Sequence, residues 1–147
     1  MRRLALSTVL AAVFAIPALA QSGPFQYFPL SPCRAVDTRG ATSTNGGPAL
    51  NTNTTRNFTI RGLCGVPTTA RAVSLNVTVT QATQSSWLAV WPSGQARPIV
   101  SMINFEPSDP ALANGIIVGL STNAQDLSVY NSSGAVHVII DVTGYFQ

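Results

Sequence analysis

Residues 73–80 read Val73-Ser74-Leu75-Asn76-Val77-Thr78-Val79-Thr80. Apolar and polar residues alternate without a fault. Side chains on a strand point to opposite faces in turn, so this period sets Val73, Leu75, Val77 and Val79 on a dry face and the Ser, Asn and Thr residues on a wet one. The β-branched content favours a pleated, half-buried surface. The same pattern recurs in both directions along the chain. Phe58 and Ile60 alternate with Thr59 and Arg61, Trp87 to Trp91 form a further segment, and 99–105 reads as another strand. Ile116, Val118 and Leu120 alternate, as do Leu127 and Val129, and Val136, Val138, Ile140 and Val142 close the set opposite His137, Ile139, Asp141 and Thr143.

Turn residues punctuate these segments. Pro92-Ser93-Gly94 and 107–110 break the chain, and Asn131-Ser132-Ser133-Gly134 carries a hairpin signal. Outside the N-terminal leader no window shows a helical apolar period. The pattern predicts an all-β, antiparallel β-sandwich of roughly eight short strands, Ig-like or jelly-roll-like, with a closed β-barrel as the alternative.

Arg2 and Arg3 precede an apolar run from Leu4 to Ile16, and Pro17-Ala18-Leu19-Ala20 ends it in small residues. That is the layout of a secretory signal peptide over residues 1–20, with an apolar stretch too short for a stable membrane span. The mature chain is therefore expected to begin at Gln21, to carry no transmembrane segment, and to work outside the cell or at its surface. Residues 21–32, QSGPFQYFPLSP, read as an extended arm, because Pro24, Pro29 and Pro32 exclude helix. The rest, 33–147, reads as one domain.

The formal charge of +3 includes Arg2 and Arg3, so the mature domain is nearly neutral. Its arginines are scattered and it has no lysine. Nucleic acid is not an expected partner, since phosphate binding needs a clustered basic face. Only 9% of residues are charged, against roughly 25% in ordinary soluble domains. The polar surface is built instead from Thr, Ser, Asn and Gln, which defend strand edges poorly against association. In an oxidising compartment the two cysteines, Cys33 and Cys64, predict one disulfide.

Three segments, 28–39 (FPLSPCRAVDTR), 62–67 (GLCGVP) and 138–146 (VIIDVTGYF), together resemble a family of secreted bacterial β-sandwich domains often found at the ends of larger extracellular proteins. Segments 75–80 and 90–94 add to the likeness. The resemblance implies the fold and an extracellular setting. It brings no catalytic residue to carry over.

Candidate chemistry is sparse. Asp37 and Arg39 fall on one face of an extended segment, and Asp141 could receive an arginine; all three read best as structural ion pairs. His137 stands without a nucleophile motif, and no G-x-S-x-G is present. The carboxylates Asp37, Glu106, Asp109, Asp126 and Asp141 are too dispersed to predict a glycosidase pair or a calcium site. No catalytic residue, metal or cofactor is expected. Asn53, Asn57, Asn76 and Asn131 match the N-glycosylation acceptor pattern and read first as surface polarity. Trp87 and Trp91 share one strand face, opposite Leu88 and Val90, and with Tyr130 could form a platform on which sugar rings stack.

Two non-enzymatic functions follow. One is a self-associating subunit of an extracellular fibre, filament, sheath or matrix, its arm (Phe25, Tyr27, Phe28) packing on a neighbouring copy. The other is a carbohydrate- or cell-wall-binding module using Trp87 and Trp91.

Overall fold

A computed structural model describes residues 23–147; the expected leader and the first two residues of the arm lie outside them. The described chain has eight strands: β1 (Tyr27–Asp37), β2 (Thr54–Phe58), β3 (Ala72–Thr80), β4 (Ser86–Pro92), β5 (Ile103–Phe105), β6 (Ala111–Gly119), β7 (Leu127–Asn131) and β8 (His137–Phe146). They form two four-stranded sheets, ordered β1-β8-β3-β6 and β2-β7-β4-β5, with every pairing antiparallel.

The order has a simple origin. β1 pairs with β8, β2 with β7, β3 with β6 and β4 with β5. The chain is one long doubled ribbon, folded over at β4–β5 and rolled so that alternate rungs fall in opposite sheets. This is the jelly-roll arrangement of a β-sandwich. Its open sheet edges set aside the closed-barrel alternative, and its strand order sets aside the Ig-like variant.

Val73, Leu75, Val77 and Val79 face inward from β3 and meet Val138, Ile140 and Val142 of β8. Leu88, Leu127, Val129 and Phe58 face them from the second sheet. Leu50, Ile60, Val66 and Val136 close the ends from loops. At about 25 cal/mol per Å² of apolar surface, such burial is the main term that holds the sheets together.

Four local expectations are corrected. The arm at 21–32 is not separate from the domain: β1 starts at Tyr27, because a proline-containing stretch excluded from helix is still accepted at a sheet edge. The strand expected over 99–105 shrinks to three residues, and Ile99 lies fully exposed in the preceding loop. Residues 131–134 do not close a hairpin; they carry the chain from β7 in one sheet to β8 in the other. Asn131 is not surface polarity: it is fully buried, and its Nδ2 donates to the carbonyls of Leu50, Asn51, Ser133 and Gly134.

Candidate functional site

Cys33 and Cys64 are bonded, which ties the middle of β1 to the loop after β2. The three acid and base residues singled out from the sequence fall into one network, joined by a fourth that was missed. Arg39 grips Asp37 with Nε at 2.8 Å and Nη2 at 2.6 Å. Arg34 reaches Asp141 with Nε at 2.9 Å and Nη2 at 3.3 Å, and approaches Asp37 at 3.5 Å. The bond to Arg39 holds the Asp37 carboxyl down at about 2, and the bond to Asp141 raises Arg34. Arg34 faces Asp141 across β1 and β8. The carboxylates are thus spent on neighbouring guanidinium groups, and the network staples β1 to β8. His137 shares its Nδ1 with the Thr38 hydroxyl at 3.1 Å.

The aromatic platform is on the predicted face but is not open. Trp87, Ala89, Trp91 and Tyr130 pack together on the outside of the second sheet. Trp91 and Tyr130 are each only 6% exposed. The ten-residue-scale β4–β5 loop folds back over them: Trp91 Nε1 donates to the Gln95 carbonyl, and Arg97 lies 3.8 Å from the Tyr130 ring centre. Cation–π stacking and burial consume the ring faces a sugar would need. Trp87 alone stays half-exposed. It borders a groove of about 320 Å³ with Ile99, Val100, Ser101 and Asn104.

The arm residues are used within their own chain. Tyr27 pairs with Phe146 and Phe28 with Tyr145, with ring centres 5.0 Å apart in both cases. Gln26 and Gln147 exchange backbone hydrogen bonds at 2.8 and 3.1 Å. Phe25 is half-buried just ahead of the strand.

Several residues that organise the loops gave little sequence signal. Asp126 is buried; it accepts the backbone N–H groups of Ile60 and Arg61 and pairs with the Arg61 side chain. Arg61 also donates to the Ser121 carbonyl. Arg56 donates to Pro48, Gly46, Ser43 and Thr44 carbonyls over the Phe58 ring. Asn45 bridges the Ala35 and Thr59 carbonyls. Each holds a turn whose backbone groups no strand satisfies.

The strand edges differ in how they are guarded. β1 carries Pro29 and Pro32, and the 38–50 loop covers its C-terminal half through the bond from Asp37 N to the Asn45 carbonyl. β2 is flanked by the loop that Arg56 holds. β5 is three residues long. β6 is the least guarded: its nine residues, ALANGIIVG, hold no charge and no proline, Ile117 is 68% exposed, and the segment before β5 touches it through the bond from Asn114 Nδ2 to the Met102 carbonyl.

Among the described residues no three His, Cys, Asp or Glu side chains gather to hold a metal ion, and no helix is long and apolar enough to cross a membrane. Comparison of the chain with protein families, curated proteins and solved structures finds no match.

Proposed function

We propose that this protein is a non-enzymatic, secreted structural subunit that associates with copies of itself into an extracellular fibre, filament, sheath or matrix. The observation that carries this reading is the β6 edge. Sheet edges are ordinarily blunted by proline, charge, brevity or a covering loop. Three edges here use one of those means, whereas β6 has no proline and no charge and is long, with the Ile117 side of the strand open to solvent. Two copies of β6 can pair antiparallel about a two-fold axis without bringing like charges together, extending the sheet across the contact. The low charge of the whole surface supports the same conclusion.

The test is sedimentation and negative-stain microscopy of the mature protein beside Ile117→Lys. The lysine costs little in folding, because the side chain is already mostly in water. It sets a cation against its own copy at the contact. The unsubstituted protein is expected to assemble with concentration, and the variant to need at least about tenfold more protein, or roughly 1.4 kcal/mol. A monomer at every concentration, or a variant that assembles equally well, refutes the reading.

A second reading survives in reduced form. The half-exposed Trp87 indole beside Ser101 and Asn104 could hold one sugar ring, without Trp91 or Tyr130. Quenching of Trp87 fluorescence by a polysaccharide, lost in Trp87→Ala, would support it; emission unmoved by every glycan rules it out.

A further inference from the structure

The β1–β8 ladder is interrupted twice, briefly at Ala35 and more widely after Pro29. Tyr27, Phe28 and Pro29 pair with Phe146, Tyr145 and Gly144, and pairing resumes only at Cys33 opposite Val142. Leu30, Ser31 and Pro32 have no partner on β8. Downstream, the Cys33–Cys64 bond and the Arg34–Asp141 pair hold the strand to its own domain. Upstream, residues 23–29 carry no charge and are fastened by the end of β8. Tyr27 is the chief fastener. Its ring lies across Gly144, where a Cβ would collide with the ring, and its hydroxyl donates to the Thr143 carbonyl at 3.2 Å. Phe28 stacks on Tyr145 with the planes 14° apart.

We propose that residues 23–29 exchange between copies, so that the segment of one chain occupies the Gly144–Gln147 end of β8 in a second copy. The inference rests on the self-association reading and names a second contact for it. In the exchanged state Tyr27 sits over the partner's glycine, and every ring pair and backbone bond re-forms with the same chemistry. The contact energies cancel between the closed and exchanged forms, leaving the cost of association and the strain of the linker to decide. Concentration then shifts the balance by mass action. Pro29 and Pro32 bias the linker toward an extended course, which favours reaching outward over folding back. The three linker residues reach about 10 Å when extended. Leu30, packed on the core beside Gly65, gives up that contact when the linker extends, and the loss is part of the cost of exchange.

The exchange site lies at the β1–β8 side of the first sheet, and β6 is its opposite edge. A molecule with one self-complementary contact at each end of a sheet joins neighbours on both sides and builds an open row.

The test uses two exposed positions that face each other, so no ring is lost. Mature Gln26→Cys protein is mixed with isotopically heavy Gln147→Cys protein, concentrated and gently oxidised, and light–heavy disulfides are identified by mass spectrometry. The 26–147 link is expected to rise with concentration and to exceed by at least tenfold that of a control mixture of Gln26→Cys with Thr122→Cys. Assemblies that form without this link overturn the exchange and leave β6-mediated association standing. A mixture that remains monomeric overturns both.

Discussion

Replacing Arg56 by alanine should cost more than any other half-buried polar substitution in the 40–60 region. Its guanidinium makes two short bonds, to the Pro48 carbonyl at 2.5 Å and the Gly46 carbonyl at 2.9 Å, and two longer ones at 3.3 Å to Ser43 and Thr44. It also lies 5.0 Å from the centre of the fully buried Phe58 ring. A hydrogen bond to a charged group is worth about 1.5 to 3 kcal/mol and a cation–π contact about 0.5 to 1. Water can reach the exposed carbonyls once the side chain is gone, so the lower values apply. Counting only the two short bonds and the ring contact gives a loss on the order of 3 kcal/mol. For a domain of this size that lowers the melting temperature by roughly 10 °C. Burial lowers the Arg56 pKa without taking it from its charged form, so the loss should be the same at pH 6 and pH 8. Arg56→Lys should recover less than half, because a compact ammonium cannot span carbonyls arranged around a planar fork. Urea unfolding gives the free energy, and amide exchange at Gly46 and Gly47, which donate to Ser43 and Ala41, reports the loop directly. A loss below about 1 kcal/mol for the alanine variant, or full recovery by lysine, would refute this account of the loop.

Asp37 titrates near pH 2 when folded, held there chiefly by Arg39, so the stability it adds is present above the unfolded carboxylate value and disappears as pH falls toward 2; acid unfolding of Asp37→Asn should lack this component, and an unchanged acid limb would contradict it. Replacing both Cys33 and Cys64 by alanine frees a loop with a sequence separation of 31 residues and should cost roughly 3 to 4 kcal/mol in urea; a loss under 1 kcal/mol would mean the Arg34–Asp141 staple alone restrains β1. Gly144→Ala should displace the Tyr27 ring and cost about 1 to 2 kcal/mol. Because the damage acts through Tyr27, the double variant with Tyr27→Ala should be little worse than Tyr27→Ala alone, and fully additive losses would separate the two residues.

The sandwich was legible because its strands obey a strict period. In β3 every odd residue from Val73 to Val79 is buried and every even one is not, as alternation requires. β7 shows where the rule weakens: all five residues are buried, because Arg97 and Trp87 cover its outer face. No local pattern announces such a cover, and the Trp platform was misjudged for that reason. The face of Trp91 and Tyr130 was correct; the cover is the loop that follows β4, whose Gln95 and Arg97 fold back on it, and its path is not written in any period. Strand order was not legible either, since alternation tells a strand which face to bury but not which strand to join. Arg34, Arg56 and Asp126 were hidden for a related reason. Their partners are carboxylates or carbonyls brought near by the fold, up to 107 residues away in the case of Arg34 and Asp141.

The folded-over ribbon has a consequence for how the molecule comes into being. The first strand of the sandwich waits for the eighth, the second for the seventh, and only β4 and β5 meet as they are made. Such remote pairings are slow to find, because the ends of a long loop must come together before any contact rewards them. A chain emerging from its N-terminus therefore passes through a stage in which β1 and its aromatic residues are made but β8 is not. On the exchange proposed above, the crowding of newly made chains at that stage sets whose β8 receives them.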